Sequence, residues 1–222
     1  MNTAAHKPSS PAPIATPAES SPAVPQPQAP AVVGVFQRLD TTAAFPYSLG
    51  EYARRFAWEL VQKTLFRFSP RRAARWRCFL LRRFGARLGT NVNIKSSTVV
   101  RHPWLLTVGD HSCLAEGVEV YNLGPVTIGD HTVLSQDVYV CAGTHDYTRP
   151  DLPLIRPPIT IGSGVWVCAG AFIGPGVTVG DNSVVGARAV VSRSIPAGKV
   201  AAGNPAVVLK DRRMDGATSN RG

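Results

Sequence analysis

The sequence predicts a mainly β chain wound as a parallel β-helix of about five coils, preceded by two amino-terminal α-helices and a disordered tail. Three observations predict it. From Ile161 onward every sixth residue is aliphatic without a break: Ile161, Val167, Ile173, Val179, Val185 and Val191. Three earlier triplets keep the same spacing: Leu88, Ile94 and Val100; Val108, Leu114 and Val120; Ile128, Leu134 and Val140. The residues that follow are rich in Gly, Asp and Asn, as in IGPGVT and VGDNSV, and these suit tight corners. A six-residue aliphatic period fits neither an α-helix nor an alternating strand. It fits hexapeptides of which three make one triangular turn, each aliphatic side chain pointing into the prism.

The coils then run 88–107, 108–127, 128–160, 161–178 and 179–196. The first two carry two-residue extensions. The third carries a long one, because 33 residues separate Ile128 from Ile161. Its text, CAGTHDYTRPDLPLIRPP, is irregular. A long loop in an otherwise tight solenoid is where function is expected. The repeat domain is placed at 88–210, followed by a flexible carboxyl terminus at 211–222.

Residues 1–34 are Pro, Ala, Ser and Gln with almost no charge, the composition of a disordered tail. They lack the basic start and apolar run of a secretory signal. No stretch approaches the length of a membrane span, so the cytoplasm is the default compartment. Residues 35–87 form a helical segment. Its lead-in contains Phe45-Pro46, and the pattern is helical from Leu49 to Phe68. Ser69 as N-cap and Pro70 in the first turn then start a second helix, Arg71 to about Phe84, which Gly85 stops. Trp76, Phe79, Leu80 and Phe84 share one face and are expected to pack on the domain, with Arg72, Arg75, Arg82 and Arg83 largely elsewhere.

Net charge is +10, and 13 of the 24 Lys and Arg lie between Arg54 and Arg101, with only Glu51 and Glu59 in or beside that stretch. Two readings stand: a solvated helix surface, or a face that meets anionic lipid, nucleic acid or an acidic substrate. The four cysteines, Cys78, Cys113, Cys141 and Cys168, show no CxxC or zinc-ligand spacing. The coil arithmetic puts Cys113, Cys168 and Cys141 on different faces, which argues against disulfides.

Among five histidines, His111 and His131 occupy one corner phase, third after Val108 and Ile128, where turn polarity accounts for them. His145 differs, since it stands where the long loop departs. Transfer of an acyl group to a hydroxyl needs a base near neutral pKa, and imidazole suits that task best. A zinc centre would need three converging histidines, and His145 belongs to another phase from His111 and His131. Cys141, directly after an inward aliphatic, reads as wall packing rather than a nucleophile. Trp166 is too bulky for the prism interior and belongs on an outer face.

The texts LFRFSPRRAARWRCFLLRRFGARLGTNVNI, YNLGPVTIGDHTVLSQDVYVCAGTHD and AAGNPAVVLK, with GTHD opening a loop that closes on PITIGSGVW, carry a resemblance. Over about 36–210 the chain resembles the hexapeptide-repeat acyltransferases, specifically the sugar O-acetyltransferases, and within them the colanic-acid-biosynthesis (WcaF) branch. The resemblance implies a left-handed β-helix, a homotrimer, and acetyl-CoA in a groove between neighbouring prisms, with no metal. It implies acetylation of a hydroxyl on a sugar or polysaccharide precursor, with His145 as catalytic base and no covalent intermediate. Asn122, Asp146 and Trp166 are then candidates for acceptor binding. Asn122 also reads as a corner residue, and Asp146 either orients His145 or caps its turn. Trp166, Ala169, Ala187, Ser192 and Lys210 match cofactor-binding positions, and the Ala169 backbone matches an oxyanion donor. Val207 departs from the family, which often has a basic residue there, so phosphate binding rests on Lys210, Arg212 or Arg188. The expected location is cytoplasmic, at the inner face of the membrane, with peripheral contact through the basic helices and no nucleic-acid partner. Two other readings are a non-catalytic scaffold or polymer-binding module, and an acetyltransferase of serine or an antibiotic. The scaffold reading explains the repeats but leaves His145 without a reason.

Overall fold

The computed structural model describes Gln37 and residues 48–214. The tail at 1–34, the Phe45-Pro46 lead-in and the chain after Met214 lie outside the described residues.

Short strands stack into three parallel sheets that form the walls of a triangular prism. The first sheet holds Arg87–Leu88, Leu106–Val108, Val126–Ile128, Ile159–Ile161 and Thr178–Val179. The second holds Asn93–Ile94, Cys113–Leu114, Val133–Leu134, Trp166–Val167 and Val184–Val185, and continues into Lys199–Gly203. The third holds Val99–Val100, Glu119–Tyr121, Tyr139–Cys141, Phe172–Ile173 and Val190–Val191. Each strand pairs in register with the equivalent strand of the next coil, as Ile161 does with Ile128 and Val179. Five complete coils result, and a partial sixth follows through the Val179–Ile195 bridge and the Val185–Ala201 pairing.

Fourteen of the fifteen repeat aliphatics are buried to within 1% of full burial, and Leu88, on the first coil, is partly covered. A second inward set sits two residues before each of them, which the six-residue count did not reveal. It includes Val92, Val118, Val138 and Val165, but also Thr98, Ser112, Thr132 and Ser183. The buried hydroxyls donate to carbonyls of the neighbouring coil, Ser112 to Gly129 at 2.7 Å and Thr132 to Gly162 at 2.6 Å. Small polar side chains thus enter the core with their hydrogen bonds satisfied.

The corners repeat one conformation. The residue third after each first-sheet aliphatic has positive φ in all six cases: Asn91, His111, His131, Gly164, Asn182 and Gly198. His111 and His131 are therefore turn residues, as their phase indicated, and their rings stack 4.9 Å apart. One residue earlier runs a ladder of side-chain caps. Asp110 accepts from the Thr90 N–H, Asp130 from Asp110, Ser163 from Asp130 and Asp181 from Ser163.

The amino-terminal helices close the open edge of the first coil. Helix α1 (Leu49–Val61) starts with a Ser48/Glu51 capping box and runs into a π-helical turn, Gln62–Phe66. Trp58 donates to the Val100 carbonyl at 2.7 Å, and Gln62 accepts from the Val100 N–H at 2.8 Å. Helix α2 (Ala74–Arg83) begins three residues later than the sequence indicates. The Ser69 hydroxyl does not cap it. Instead it donates to the Phe66 carbonyl and accepts from Arg77. Arg77 is fully buried and donates to the Ile94, Pro70 and Arg71 carbonyls, while Arg82 donates to Leu88 and Gly89. Edge groups that would otherwise invite another strand are thereby taken up by side chains.

The expected aromatic face of α2 divides. Leu80 is buried and Phe84 packs against the core, but Trp76 and Phe79 stand exposed. At the far end, Ala206–Asp211 turns back antiparallel on Lys199–Gly203, so the ordered strand reaches Asp211 and does not stop at the predicted 210. Among the described residues no helix is long and apolar enough to cross a membrane.

Leu134→Ala, in the middle of the prism, is expected to lower stability by about 2–5 kcal/mol through lost contacts and an unfilled cavity. Asn182→Gly, at a positive-φ corner, is expected to change it by less than about 1 kcal/mol. Denaturant unfolding of both variants checks the pair.

Candidate active site

All three extensions leave the prism at one corner, between the third and first sheets. The first forms a 3-10 turn, Pro103–Leu105, and the second is 122–125. The third is the long one. Its strands Thr144–His145 and Leu154–Ile155 pair antiparallel, so the long loop is a hairpin with His145 at its open side. The base is clamped between coils. The Gly124 N–H donates to the Ala142 carbonyl, and a Cβ on Gly124 would meet the Arg156 carbonyl oxygen at 2.5 Å. Only glycine permits that approach.

His145 is exposed, and its Nδ1 lies 2.6 Å from the Leu152 carbonyl. A carbonyl can only accept, so Nδ1 carries a proton, and in the neutral ring Nε2 is then the nitrogen with the lone pair. Leu152 has φ +43°, a conformation a leucine seldom adopts. The loop holds it there: Leu152 N–H donates to Arg149, Arg149 N–H to Asp146, and Asp146 N–H to Pro153. Arg149 also pairs through two bonds with Asp151. Sequence reasoning missed Leu152, because no composition signal marks a leucine in the left-handed region.

Asp146 does not orient the imidazole here. Its carboxylate accepts from the Thr148 N–H and hydroxyl, and those bonds hold its pKa below the usual value. Of its two readings, the structure shows the turn cap. Asn122 is fully buried, so direct acceptor contact does not fit this geometry. Its side-chain oxygen accepts from the His102 N–H at 2.9 Å and its amide donates to the His102 carbonyl at 2.6 Å. It ties the second extension to the first. His102 is itself buried, and burial lowers its pKa.

Most of the cofactor candidates lie on the other side of the prism, but Ser192 follows the third-sheet strand Val190–Val191, on the corner from which the hairpin leaves. Trp166 projects outward from the second sheet, half exposed, and its indole N–H donates to Ser135 at 3.0 Å. It lines an open cleft of about 690 Å³ together with Val184, Val200, Lys210, Arg212 and Arg213. Arg212 donates to the Gly164 carbonyl, and Asp211 is paired with Lys199. Val184, Val200, Asp211 and Arg213 are cleft residues that sequence reasoning left out; for Arg213 the basic run at 212–213 was the available signal. Ala169 and Ala187 are stacked at the next corner, where the Arg188 N–H donates to the Ala169 carbonyl. Ser192 is exposed beyond the third sheet, and Val207 is exposed on the last strand. One chain therefore brings Trp166 and Lys210 together, with the two alanines beside them. It leaves His145 at the opposite corner.

All four cysteines are free, and burial raises the thiol pKa of Cys78, Cys113 and Cys168. Cys141 donates weakly to the Gly143 carbonyl at 3.3 Å. His111 and His131 are paired at the corner between the first and second sheets, which His145 does not share.

Residues 158–193 match the family model described as bacterial transferase hexapeptide (six repeats). The chain is 47% identical over 155 residues to WcaF of Escherichia coli (strain K12), named as a colanic acid biosynthesis acetyltransferase; the match covers 70% of this chain and 85% of that one. This chain belongs to the hexapeptide-repeat acetyltransferases. Among solved structures, a maltose O-acetyltransferase from Clostridium difficile 630 superposes with TM-score 0.69 at 27% identity, covering 75% of this chain and 90% of that one. A hexapeptide-repeat acetyltransferase from Vibrio cholerae, solved with acetyl coenzyme A, gives TM-score 0.69 at 26% identity over 79% of this chain and 96% of that one. The fold is the left-handed parallel β-helix of these hexapeptide-repeat acetyltransferases, and the protein is an acyltransferase.

Asn122→Ala removes the side-chain acceptor of the buried His102 N–H and one of two donors to the His102 carbonyl, which keeps the Leu105 N–H, and is expected to cost about 1–3 kcal/mol of stability. A fall in the unfolding midpoint confirms the framework role; unchanged stability refutes it.

Proposed function

We propose that this protein transfers the acetyl group of acetyl-CoA directly to a hydroxyl of a sugar or polysaccharide precursor, in a homotrimer whose sites lie between neighbouring prisms. The single observation that carries this reading is the division of the site within one chain. His145 stands at one corner, and the cleft of Trp166 and Lys210 opens on the opposite face. Packing prisms side by side brings the hairpin of one against the cleft of the next, which closed symmetry repeats three times.

The His145 Nε2 lone pair takes the acceptor proton as its oxygen attacks the thioester carbonyl carbon. The Leu152 carbonyl, accepting from Nδ1–H, steadies the imidazolium that forms. The backbone N–H of Ala169 is assigned to the oxyanion of the tetrahedral intermediate. Collapse breaks the carbon–sulfur bond, and the imidazolium proton passes to the departing coenzyme A thiolate. Ala187 and Ser192 are assigned to the pantetheine, and Lys210 to the phosphates, with Arg212 and Arg213 beside it. Trp166 is placed where cofactor and acceptor meet, and Asp146 keeps the acceptor side of the hairpin in shape. No metal enters these steps. The protein is assigned to the cytoplasm, with its arginine-rich amino-terminal segment facing the anionic inner leaflet. That attraction would fall with salt.

His145→Ala is expected to lower kcat by roughly 10²–10⁴ with acetyl-CoA binding little changed, because removal of a base acts on the transition state. Cys141→Ala should keep most activity. Thiol release from acetyl-CoA over a panel of sugars and nucleotide sugars reads both variants. A dead Cys141→Ala beside a normal His145→Ala would replace direct transfer by an acyl-cysteine route.

Sedimentation is expected to give three times the 23.7 kDa chain mass. A fully active monomer would contradict the shared site.

A further inference from the structure

Among the described residues most aliphatic side chains of the prism are buried, but the amino-terminal helices expose a group of large apolar residues together. Leu49, Phe56 and Leu60 recur at helical spacing on α1, opposite the buried Trp58. The π-helical turn Gln62–Phe66 advances the helical phase, so the stripe continues through Leu65 and Phe68, while Phe66 faces the core. Phe68 is 83% exposed and Phe56 72%. On α2, Trp76 and Phe79 stack with ring centroids 5.6 Å apart, and the Trp76 indole N–H donates to the Leu65 carbonyl at 3.3 Å. That bond joins the two stripes into one face.

The charges beside this face have one sign. Trp76, Phe79 and Arg83 follow each other at spacings of three and four within α2, so Arg83 lies on the side of the aromatic pair, and Arg72 is exposed in the turn just before the helix. For Arg83 this corrects the expectation that the arginines lie largely away from the aromatics. Arg67 and Arg75 are exposed nearby. Glu51 is used in the capping box of α1, and Glu59 pairs with Lys63. Among the described residues, no carboxylate pairs with Arg67, Arg72, Arg75 or Arg83.

We propose that this face is an interfacial anchor: Phe56, Leu60, Leu65, Phe68, Trp76 and Phe79 enter the boundary between headgroups and acyl chains of an anionic lipid surface, and the arginines hold the headgroups. Aromatic and aliphatic residues opposite a buried face, bordered by unpaired arginines, form the pattern of a helix lying in the plane of a membrane. A second copy of the chain is the weaker occupant. A two-fold contact through this face would set arginines against their own equivalents. An anionic lipid surface supplies both the apolar layer and the opposite charge. The inference rests on the reading that the basic segment faces an anionic membrane, and adds that apolar side chains insert.

The test uses the full chain and sedimenting vesicles, of phosphatidylcholine alone or with about one third phosphatidylglycerol. The wild type is expected to bind the anionic vesicles, less so as salt rises. Phe68→Ser/Trp76→Ser/Phe79→Ser, at exposed positions, should bind about tenfold less or weaker while its subunit number stays unchanged. Bromine on the acyl chains should quench tryptophan fluorescence in the wild type. That quenching should be lost in Trp76→Phe, which keeps the apolar surface and the binding. If the triple variant binds as well as wild type and no quenching occurs, insertion is overturned while electrostatic contact stands. If nothing binds anionic vesicles at low salt, both are overturned. A triple variant that sediments as a smaller assembly makes the face a contact between copies and sinks the proposal.

Discussion

Everything in this molecule depends on the coil-to-coil hydrogen bonding of strands only two or three residues long. Such strands have no stability alone, because each contributes few backbone bonds. They hold because every coil places its aliphatics in the same six-residue phase, so the buried side chains of one coil stack on those of the next. Equal coils in turn demand equal corners. That demand explains the recurrent positive φ, taken by Gly where present and elsewhere by Asn or His. It also explains the ladder of Asp and Ser caps, which satisfies corner N–H groups once per coil.

A prism of this kind has two open ends, and each is closed differently. At the carboxyl end a strand turns back on the last parallel strand. At the amino end helices do the work, and their polar side chains reach down to the backbone of the first coil. Trp58, Gln62, Cys78, Arg77 and Arg82 all make such bonds. Arg77 is the extreme case, a fully buried cation surrounded by carbonyl oxygens, and burial pulls its pKa below the ordinary value. Using the polar groups of the helices to close the edge leaves their other faces to solvent. The exposed aromatic and arginine side chains follow from that arrangement.

The site obeys the same geometry. Extensions are tolerated at one corner only, where each rests on the one before it: Asn122 grips His102, and Gly143 leans on Leu123. The hairpin bearing His145 is thus the third layer of a stacked structure, which gives an exposed histidine a fixed backbone beneath it. Its ring is then set by a single carbonyl from a leucine held in the left-handed region, an unfavourable conformation retained where it orients the proton.

The sequence by itself determined the repeat, its phase, the corner residues and the point at which His145 leaves the wall, because each depends on local spacing. Fourteen buried aliphatics sit where a count of six placed them. Trp166 is on an outer face for the same reason. Tertiary structure decided what depends on the far side of a contact. Asn122 looks the same in text whether its amide meets solvent or a neighbouring backbone, and only the stacking of two extensions buried it. The start of α2 moved because Ser69 turned its hydroxyl to Phe66 and Arg77 instead of capping the helix. Trp76 and Phe79 parted from Leu80 and Phe84 because an isolated helix cannot show how wide an arc its neighbour covers. Leu152 was silent for a further reason: hydrogen bonds around a loop imposed its conformation, and nothing in the side chain itself asks for it.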